Sequence, residues 1–338
     1  MVIAVDASGG EYAPHEIVKG AIKAAQDYKV EIALVGRKDI LNILAGRHLG
    51  KLGISIIDAR QNISFDEHPV EAVQKKTDSS IVVGINLVRD GLASAFVSAG
   101  STGAVFYAAL ASLGKIEGIE RPAIGTIINI NSLTTPVLLI DSGANADCRP
   151  QHLVQFAQLG TTYIRELFGL ESPRVGLLSN GEEETKGNRL TCESHQLLKK
   201  TSLNFIGNVE GHDIIKGSAD VFVTDGFTGN IVLKTIEGMS THWLYSLGQM
   251  RQIFSKAYRL PSQALHRDMG MDGWTKRLDY REYGGACLLG VNGNIIIAHG
   301  RSQTRAIINA IVLAQQTAER NISKKIQEEK YEQTSTDR

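Results

Sequence analysis

Apolar positions fall into short uninterrupted runs that alternate with stretches of helical spacing: VIAVD precedes PHEIVKGAIKAAQD, EIALVG precedes KDILNILAG, and SAFVSAG precedes TGAVFYAALASLG. Short solid runs suit strands buried on both faces, and apolar residues every three or four positions suit the helices that cover them. The alternation predicts βα units on a mostly parallel sheet. Between Pro122 and Ile140 the rhythm breaks, because AIGTIIN and PVLLID are two strand-like runs joined by NSLTT, an antiparallel excursion. A second series follows: HLVQFAQLGTTYIRELFG as a helix, RVGLLSNG as a strand, a helix from Glu193 to Lys200, LNFIGNV and DVFVTDG as strands, and a long helix from Thr228. The expected fold is α/β with a doubly wound, mostly parallel sheet. From about 238 to 280 the sequence turns helix-rich, with Trp243, Tyr245, Phe254, Tyr258 and Trp274, which predicts a helical excursion off the sheet. NIIIAHG then returns to a strand and Thr304 to Ala318 forms the last main helix, so residues 1–325 are expected to make one α/β catalytic domain and 326–338 a polar tail.

One phrase occurs twice. GLASAFVSAGSTGAVF from Gly91 and GSADVFVTDGFTGNIV from Gly217 align without a gap and agree at Gly91/Gly217, Ala93/Ala219, Phe96/Phe222, Val97/Val223, Gly100/Gly226, Thr102/Thr228 and Gly103/Gly229. Each copy runs a strand into a small-residue turn and then into a helix with Ser101, Thr102 or Thr228 as the expected N-cap. Unpaired N–H donors and about half a positive charge at a helix start make such turns anion sites. A single copy is read as readily as a tight βα turn. The pair points to a ligand at the carboxyl ends of the strands. Neither copy is GxxxxGK[ST] or GxGxxG, so a nucleotide is not the expected ligand.

Charge narrows the classes further. Lysine plus arginine equal aspartate plus glutamate at 36 each, so no overall field draws in nucleic acid or an anionic membrane. Cys148, Cys192 and Cys287 lie far apart, with neither a disulfide framework nor zinc spacing, which fits a reducing cytoplasm. The N-terminus lacks a basic n-region and a cleavage site, so no export is expected. Leu92 to Gly114 and Pro122 to Ile140 are long uncharged stretches, yet glycine, serine, threonine and asparagine interrupt them, and strand, turn and buried helix account for them without a membrane span.

Three further clusters sit beside apolar runs: Leu139 to His152, Leu177 to Asn188, and Glu282 to Gly290. Asp141, Asn145 and Asp147 lack the calcium-loop spacing and no histidine pair supports zinc, so Asx turns and capping are expected and no metal. Cys148 is expected to be a packed thiol. Lys186 follows Glu182 to Glu184 in a glycine-flanked loop, which suits either a solvated charged loop or a lysine placed to meet an anion. HEIVKG is not HExxH, GxSxG is absent, and the nine histidines are expected to pack or face solvent.

AVDASGGEYAPHEIVKGA, ISFDEHPVEAVQKKTDSSIVVGINLVRDG, FVSAGSTGA, RPAIGT, DSGANADCRPQHLVQFAQLG, LLSNGEEETKGN, FIGNVEGHDIIKGSADVFVTDGFTGNIVLKTIEG and YGGACLLGVNG together resemble, in order from about residue 1 to 320, the bacterial phosphate acyltransferase (PlsX) family. The resemblance implies a fold similar to isopropylmalate dehydrogenases and phosphotransacetylases, a homodimer, no required cofactor, and cytoplasmic placement peripheral to the inner membrane face. It implies transfer of a fatty acyl group from acyl carrier protein to inorganic phosphate, giving acyl phosphate for a downstream glycerol-3-phosphate acyltransferase. The chain departs from the family at AVDASGGE, IDSGANADCRP and LLSNGEEETKGN. Its Met250 to Trp274 stretch is short and polar where relatives carry an apolar hairpin, with Ile253, Phe254, Tyr258 and Leu260 as its few apolar residues, so membrane contact should be weak.

Phosphate is already a nucleophile, which suits the missing triad. The twin turns would cradle it, with Ser98, Gly100, Ser101, Thr102 and Gly103 from one and Thr224, Asp225, Gly226, Thr228 and Gly229 from the other. Lys186 is expected to neutralise charge and Asn230 to polarise the carbonyl, while Asp141 and Asn145 organise the cradle. The alternatives are a phosphotransacetylase-like enzyme using acyl-CoA, a catalytically silent anion-binding or membrane-organising protein, and a dehydrogenase, the last disfavoured by the absent dinucleotide fingerprint.

Overall fold

The computed structural model of the chain describes residues 1–128, 136–240 and 284–336. The NSLTT connection, the expected excursion from residue 241 onward and the apolar candidates Ile253, Phe254, Tyr258 and Leu260 lie outside the described residues.

The first βα series is β1 (Val2–Asp6), α1 (His15–Tyr28), β2 (Glu31–Gly36), α2 (Lys38–Ala45), β3 (Ile54–Asp58), α3 (Pro69–Lys75), α4 (Ser80–Arg89), β4 (Ala95–Ser98) and α5 (Thr102–Leu113). The two runs after Pro122 are β5 (Ala123–Ile128) and β6 (Val137–Ile140), paired antiparallel as their spacing predicts. The second series is α6 (Pro150–Phe168), β7 (Val175–Leu178), α7 (Arg189–Leu198), β8 (Phe205–Val209), α8 (Gly211–Lys216), β9 (Val221–Val223) and α9 (residues 226–240). β10 (Ala286–Leu289), β11 (Ile295–Ile297), α10 (Thr304–Glu319) and α11 (Ile322–Thr336) complete the described elements. α7 begins four residues before the expected Glu193, because Asn188 accepts the Thr191 N–H at 2.9 Å and so caps an earlier turn. α11 runs through sequence that composition reads as polar, anchored by Ile322 and Ile326, which are buried.

The described strands form one sheet in the order β3-β2-β1-β4-β11-β10-β5-β6-β9-β7-β8. Pairing is parallel except for three successive junctions in the middle, β11 with β10, β10 with β5, and β5 with β6. Three reversals leave β4 and β9, the strands of the repeated phrase, running in opposite directions. Their turns therefore do not share one carboxyl edge, as a doubly wound sheet would have required. Five strand steps separate them, and at about 20–25° of twist per step the two halves are turned by roughly 100–125°.

Alternation along the strands feeds two faces. Ile3 and Val5 join an apolar cluster that includes Ile17 of α1, Phe156 of α6 and Ile311 of α10, while Ala4 points into a second cluster with Ile81 of α4 and Val105 of α5. On that second face the distal half has its own cluster, where Leu139 and Phe222 meet Ile214 of α8, with Leu233 and Ile236 of α9 against them. Between α5 and α9 no helix among the described residues covers the sheet's middle strands. That gap is the cavity described next.

Candidate active site

The first turn of the repeated phrase is tied to the end of β1. Ser98 Oγ donates to Asp6 Oδ2 at 2.6 Å and accepts the Gly100 N–H at 3.0 Å, and Asp6 Oδ1 accepts the N–H groups of Ser8 and Gly9 at 3.0 Å each. Burial pushes the Asp6 carboxyl up, and these hydrogen bonds oppose it. Ser101 is the N-cap of α5 as expected, but its side chain makes no capping bond, which leaves the exposed first turn at Thr102 and Gly103 with its backbone donors open.

The second turn is tied in the same manner to the end of β6. Asp141 Oδ1 accepts the N–H groups of Ile124, Gly143 and Ala144 at 3.1, 3.0 and 2.9 Å, and Oδ2 accepts Asn145 N–H at 2.7 Å and Asn145 Nδ2 at 2.8 Å. Asn145 also donates to the Pro122 carbonyl at 2.8 Å, and its own carbonyl accepts the Gly226 N–H at 2.8 Å. Both side chains are buried, so they organise the loop and do not face a ligand. Asp225, not Thr228, caps α9: its Oδ1 accepts the Thr228 N–H and its Oδ2 the Thr228 hydroxyl, each at 2.8 Å. A carboxylate at that position accepts two donors of Thr228 at once, which a threonine further along cannot do.

The start of α5 and α9 from Asn230 onward reach one cavity of about 320 Å³. Thr102, Gly103 and Phe106 of α5 form one wall, and Asn230, Leu233, Lys234 and Glu237 of α9 the other. Ile124, Thr126 and Ile128 of β5 with Ala286 of β10 and Ile297 of β11 make the floor, and the backbone of Ser142 to Ala144 fills a corner. Asn230 Nδ2 donates to the Ser142 carbonyl at 3.4 Å, a long bond that leaves its amide available. Of the sequence-selected residues, Thr102, Gly103 and Asn230 line this space. Ser98, Gly100, Ser101, Asp141, Asn145, Thr224, Asp225, Gly226, Thr228 and Gly229 do not line it. Lys186 is exposed on the loop after β7, the strand beside β9, and does not line the cavity.

Lys234, Glu237 and His299 line the cavity without having been singled out from sequence. Helical spacing held a signal, since Asn230, Lys234 and Glu237 recur at intervals of four and three on one face of α9. His299 follows the strand run NIIIA and had no such pattern. Cys148 donates to the Asn145 carbonyl at 3.5 Å, and burial, reinforced by Asp141, pushes its thiol up to about 12, so it stays protonated at neutral pH. Among the described residues no group of three His, Cys, Asp or Glu side chains could hold a metal.

His152 fixes the start of α6, just after the Asp141 loop. Its Nδ1 accepts the Arg149 N–H at 3.1 Å, so the ring proton sits on Nε2 and faces Glu120 Oε2 at 3.1 Å. Burial holds the imidazole below its ordinary value, outweighing the pull of Glu120. A neutral buried form contributes stability that is complete above the unfolded value of about 6.5 and is lost as pH falls below it. Urea unfolding from pH 7.5 down to 5.5 should therefore show falling stability from this group, by at most about 1.4 kcal/mol per pH unit for one proton. His152→Gln should flatten that slope, and an unchanged slope would exclude His152 as its source.

The family model described as Fatty acid synthesis protein matches residues 1–325. The chain is 55% identical to a phosphate acyltransferase of Dehalococcoides mccartyi over 97% of this chain and 94% of the relative. It is 49% identical to a phosphate acyltransferase of Pelotomaculum thermopropionicum over 95% and 93%. The chain belongs to the phosphate acyltransferase family. Its fold matches solved structures at lower identity: a phosphotransacetylase from Streptococcus pyogenes, with TM-score 0.60 and 19% identity over 94% of each chain, and a branched-chain phosphotransacylase from Enterococcus faecalis, with TM-score 0.58 and 14% identity over 94% and 99%. As a phosphate acyltransferase family member the chain is an acyltransferase, and its α/β architecture is the expected class. Leu92 to Gly114 is β4 and α5, Pro122 to Ile140 carries β5 and β6, and no helix among the described residues is long and apolar enough to cross a membrane.

Proposed function

We propose that this phosphate acyltransferase takes a fatty acyl group from the thioester of an acyl carrier protein and places it on inorganic phosphate. The observation that supports this reading is the meeting of an uncapped helix start at Thr102 and Gly103 with Asn230 across a cavity whose floor is mostly apolar. A phosphate oxygen attacks the thioester carbonyl, the C–S bond breaks, and the carrier leaves as thiolate that takes up the phosphate proton. Orienting the phosphate against the carbonyl supplies several kcal/mol, and a donor aimed at the developing oxyanion about 3 kcal/mol. Asn230 is suited to that second task. Lys186 neutralises charge from the loop beside the β9 end, and Ser98, Gly100, Asp141, Asn145 and Asp225 hold the two turns in shape.

Residues 1–325 act as one catalytic domain in this proposal, as a homodimer that lies at the inner membrane face by weak contact and passes acyl phosphate to a glycerol-3-phosphate acyltransferase. Purified protein given acyl carrier thioester and phosphate should form acyl phosphate, trapped as the hydroxamate with hydroxylamine. A higher rate with acyl-CoA than with the carrier would turn the reading toward a phosphotransacetylase, and no product with either donor would refute it. Lys186→Ala and Asn230→Ala should each lower turnover at least tenfold while the thermal midpoint holds, and near-normal turnover in both would withdraw these roles.

A further inference from the structure

Lys234, Glu237 and His299 form a charged group inside the cavity that the mechanism above does not use. Lys234 Nζ lies 2.7 Å from Glu237 Oε2 and 3.2 Å from His299 Nε2, and His299 Nε2 lies 3.4 Å from the same glutamate oxygen. The Arg301 N–H donates to His299 Nδ1 at 3.1 Å, so the ring proton is on Nε2 and is given to Glu237. Nε2 then cannot accept from the lysine, and Glu237 takes one of the three ammonium hydrogens. An ordinary i,i+3 pair on a helix surface is solvated and weak. This one has a glutamate side chain only 16% exposed and is bridged to the loop after β11, across the mouth between α9 and the sheet. Hydrogen bonds from His299 and Lys234 hold the Glu237 carboxyl below its ordinary range despite its burial.

We infer that Lys234 is a phosphate-binding residue of this enzyme, and that Glu237 and His299 are positioning residues that hold its ammonium group against the cavity wall. The inference rests on the proposed acyl transfer to phosphate and adds to it a second cation, one that lines the space Lys186 does not. Lys234 is one helical turn beyond Asn230 on the same face, so an anion held between α5 and α9 meets both side chains. A lysine without its glutamate would swing on a four-carbon stem; the pair with the largely buried Glu237 aims its half-exposed ammonium group.

The test is steady-state kinetics on the full chain with carrier thioester saturating and phosphate varied, alongside calorimetric titration of inorganic phosphate. Lys234→Gln should raise KM for phosphate at least tenfold and leave KM for the carrier thioester within threefold, with Lys234→Arg recovering part of the loss. Glu237→Gln should raise the phosphate KM by less than Lys234→Gln does, a split that a purely structural role would not produce. Should glutamine at 234 unfold the chain, Lys234→Met, which keeps the apolar stem, replaces it. An unchanged phosphate KM in a folded Lys234 variant overturns the inference, as does a loss confined to the carrier thioester. If the unaltered chain forms no acyl phosphate, the proposed function fails by itself and the phosphate titration decides Lys234: binding weakened tenfold or more by Lys234→Gln sustains it, and equal binding removes it.

Discussion

Asp141→Ala should cost the fold about 3–5 kcal/mol of unfolding free energy, read as a lower urea midpoint at unchanged slope. The side chain is fully buried and collects five N–H donors from Ile124, Gly143, Ala144 and Asn145. Removing it leaves all five in a place where an unmet donor costs about 1–3 kcal/mol, and water entering the hole recovers only part of that. Burial raises this carboxyl, so its charge is itself a burden, yet the donors require an acceptor on both oxygens. Asp141→Asn keeps an acceptor for the three bonds at Oδ1 and turns an NH₂ toward the two donors at Oδ2. Its loss should be smaller than that of Asp141→Ala. A loss under about 1 kcal/mol in Asp141→Ala would mean that the loop does not depend on this hub.

Gly229→Ala should cut turnover at least about 100-fold. A Cβ at Gly229 would stand 1.9 Å from the Asp141 carbonyl oxygen, a backbone atom that cannot step aside as a side chain can. The first turn of α9 must then lift away from the Asp141 loop, and Asn230 moves with it; a displacement of about 1 Å at a reacting group is worth about 10²-fold in rate. Gly238→Ala is the control in the same helix, since nothing among the described residues lies within 4 Å of its added methyl and alanine favours the helix by about 0.8–1 kcal/mol. Equal turnover in Gly229→Ala and Gly238→Ala would dismiss the argument that this close approach sets the site.

Much of this was readable from residue order. The βα rhythm yields the strands and helices of both halves, and the twofold phrase marks the two turns whose helices wall the cavity. What it could not give is direction. Short apolar runs read alike whichever way a strand points: the short NSLTT connection marked the β5–β6 reversal, but the two junctions of β10, inside YGGACLLG, had no signal, so the relative direction of β4 and β9 stayed hidden. Nor could it separate support from contact. Asp141 and Asn145 are polar residues at a strand end, as a ligand-binding pair would be, and only burial shows that their donors and acceptors are already consumed by the backbone. Lys234 reads as an ordinary helix lysine until His299, 65 positions away, is placed beside it.

The walls at α5 and α9 belong to separate apolar clusters, and among the described residues the middle strands of the sheet, the Ser142–Ala144 loop and the His299 contact join them. The distance across the cleft is thus set mainly by the strip of sheet beneath it and by these two contacts. A slight change in the coiling of that strip would alter the gap between the start of α5 and Asn230 while each helix kept its own apolar cluster.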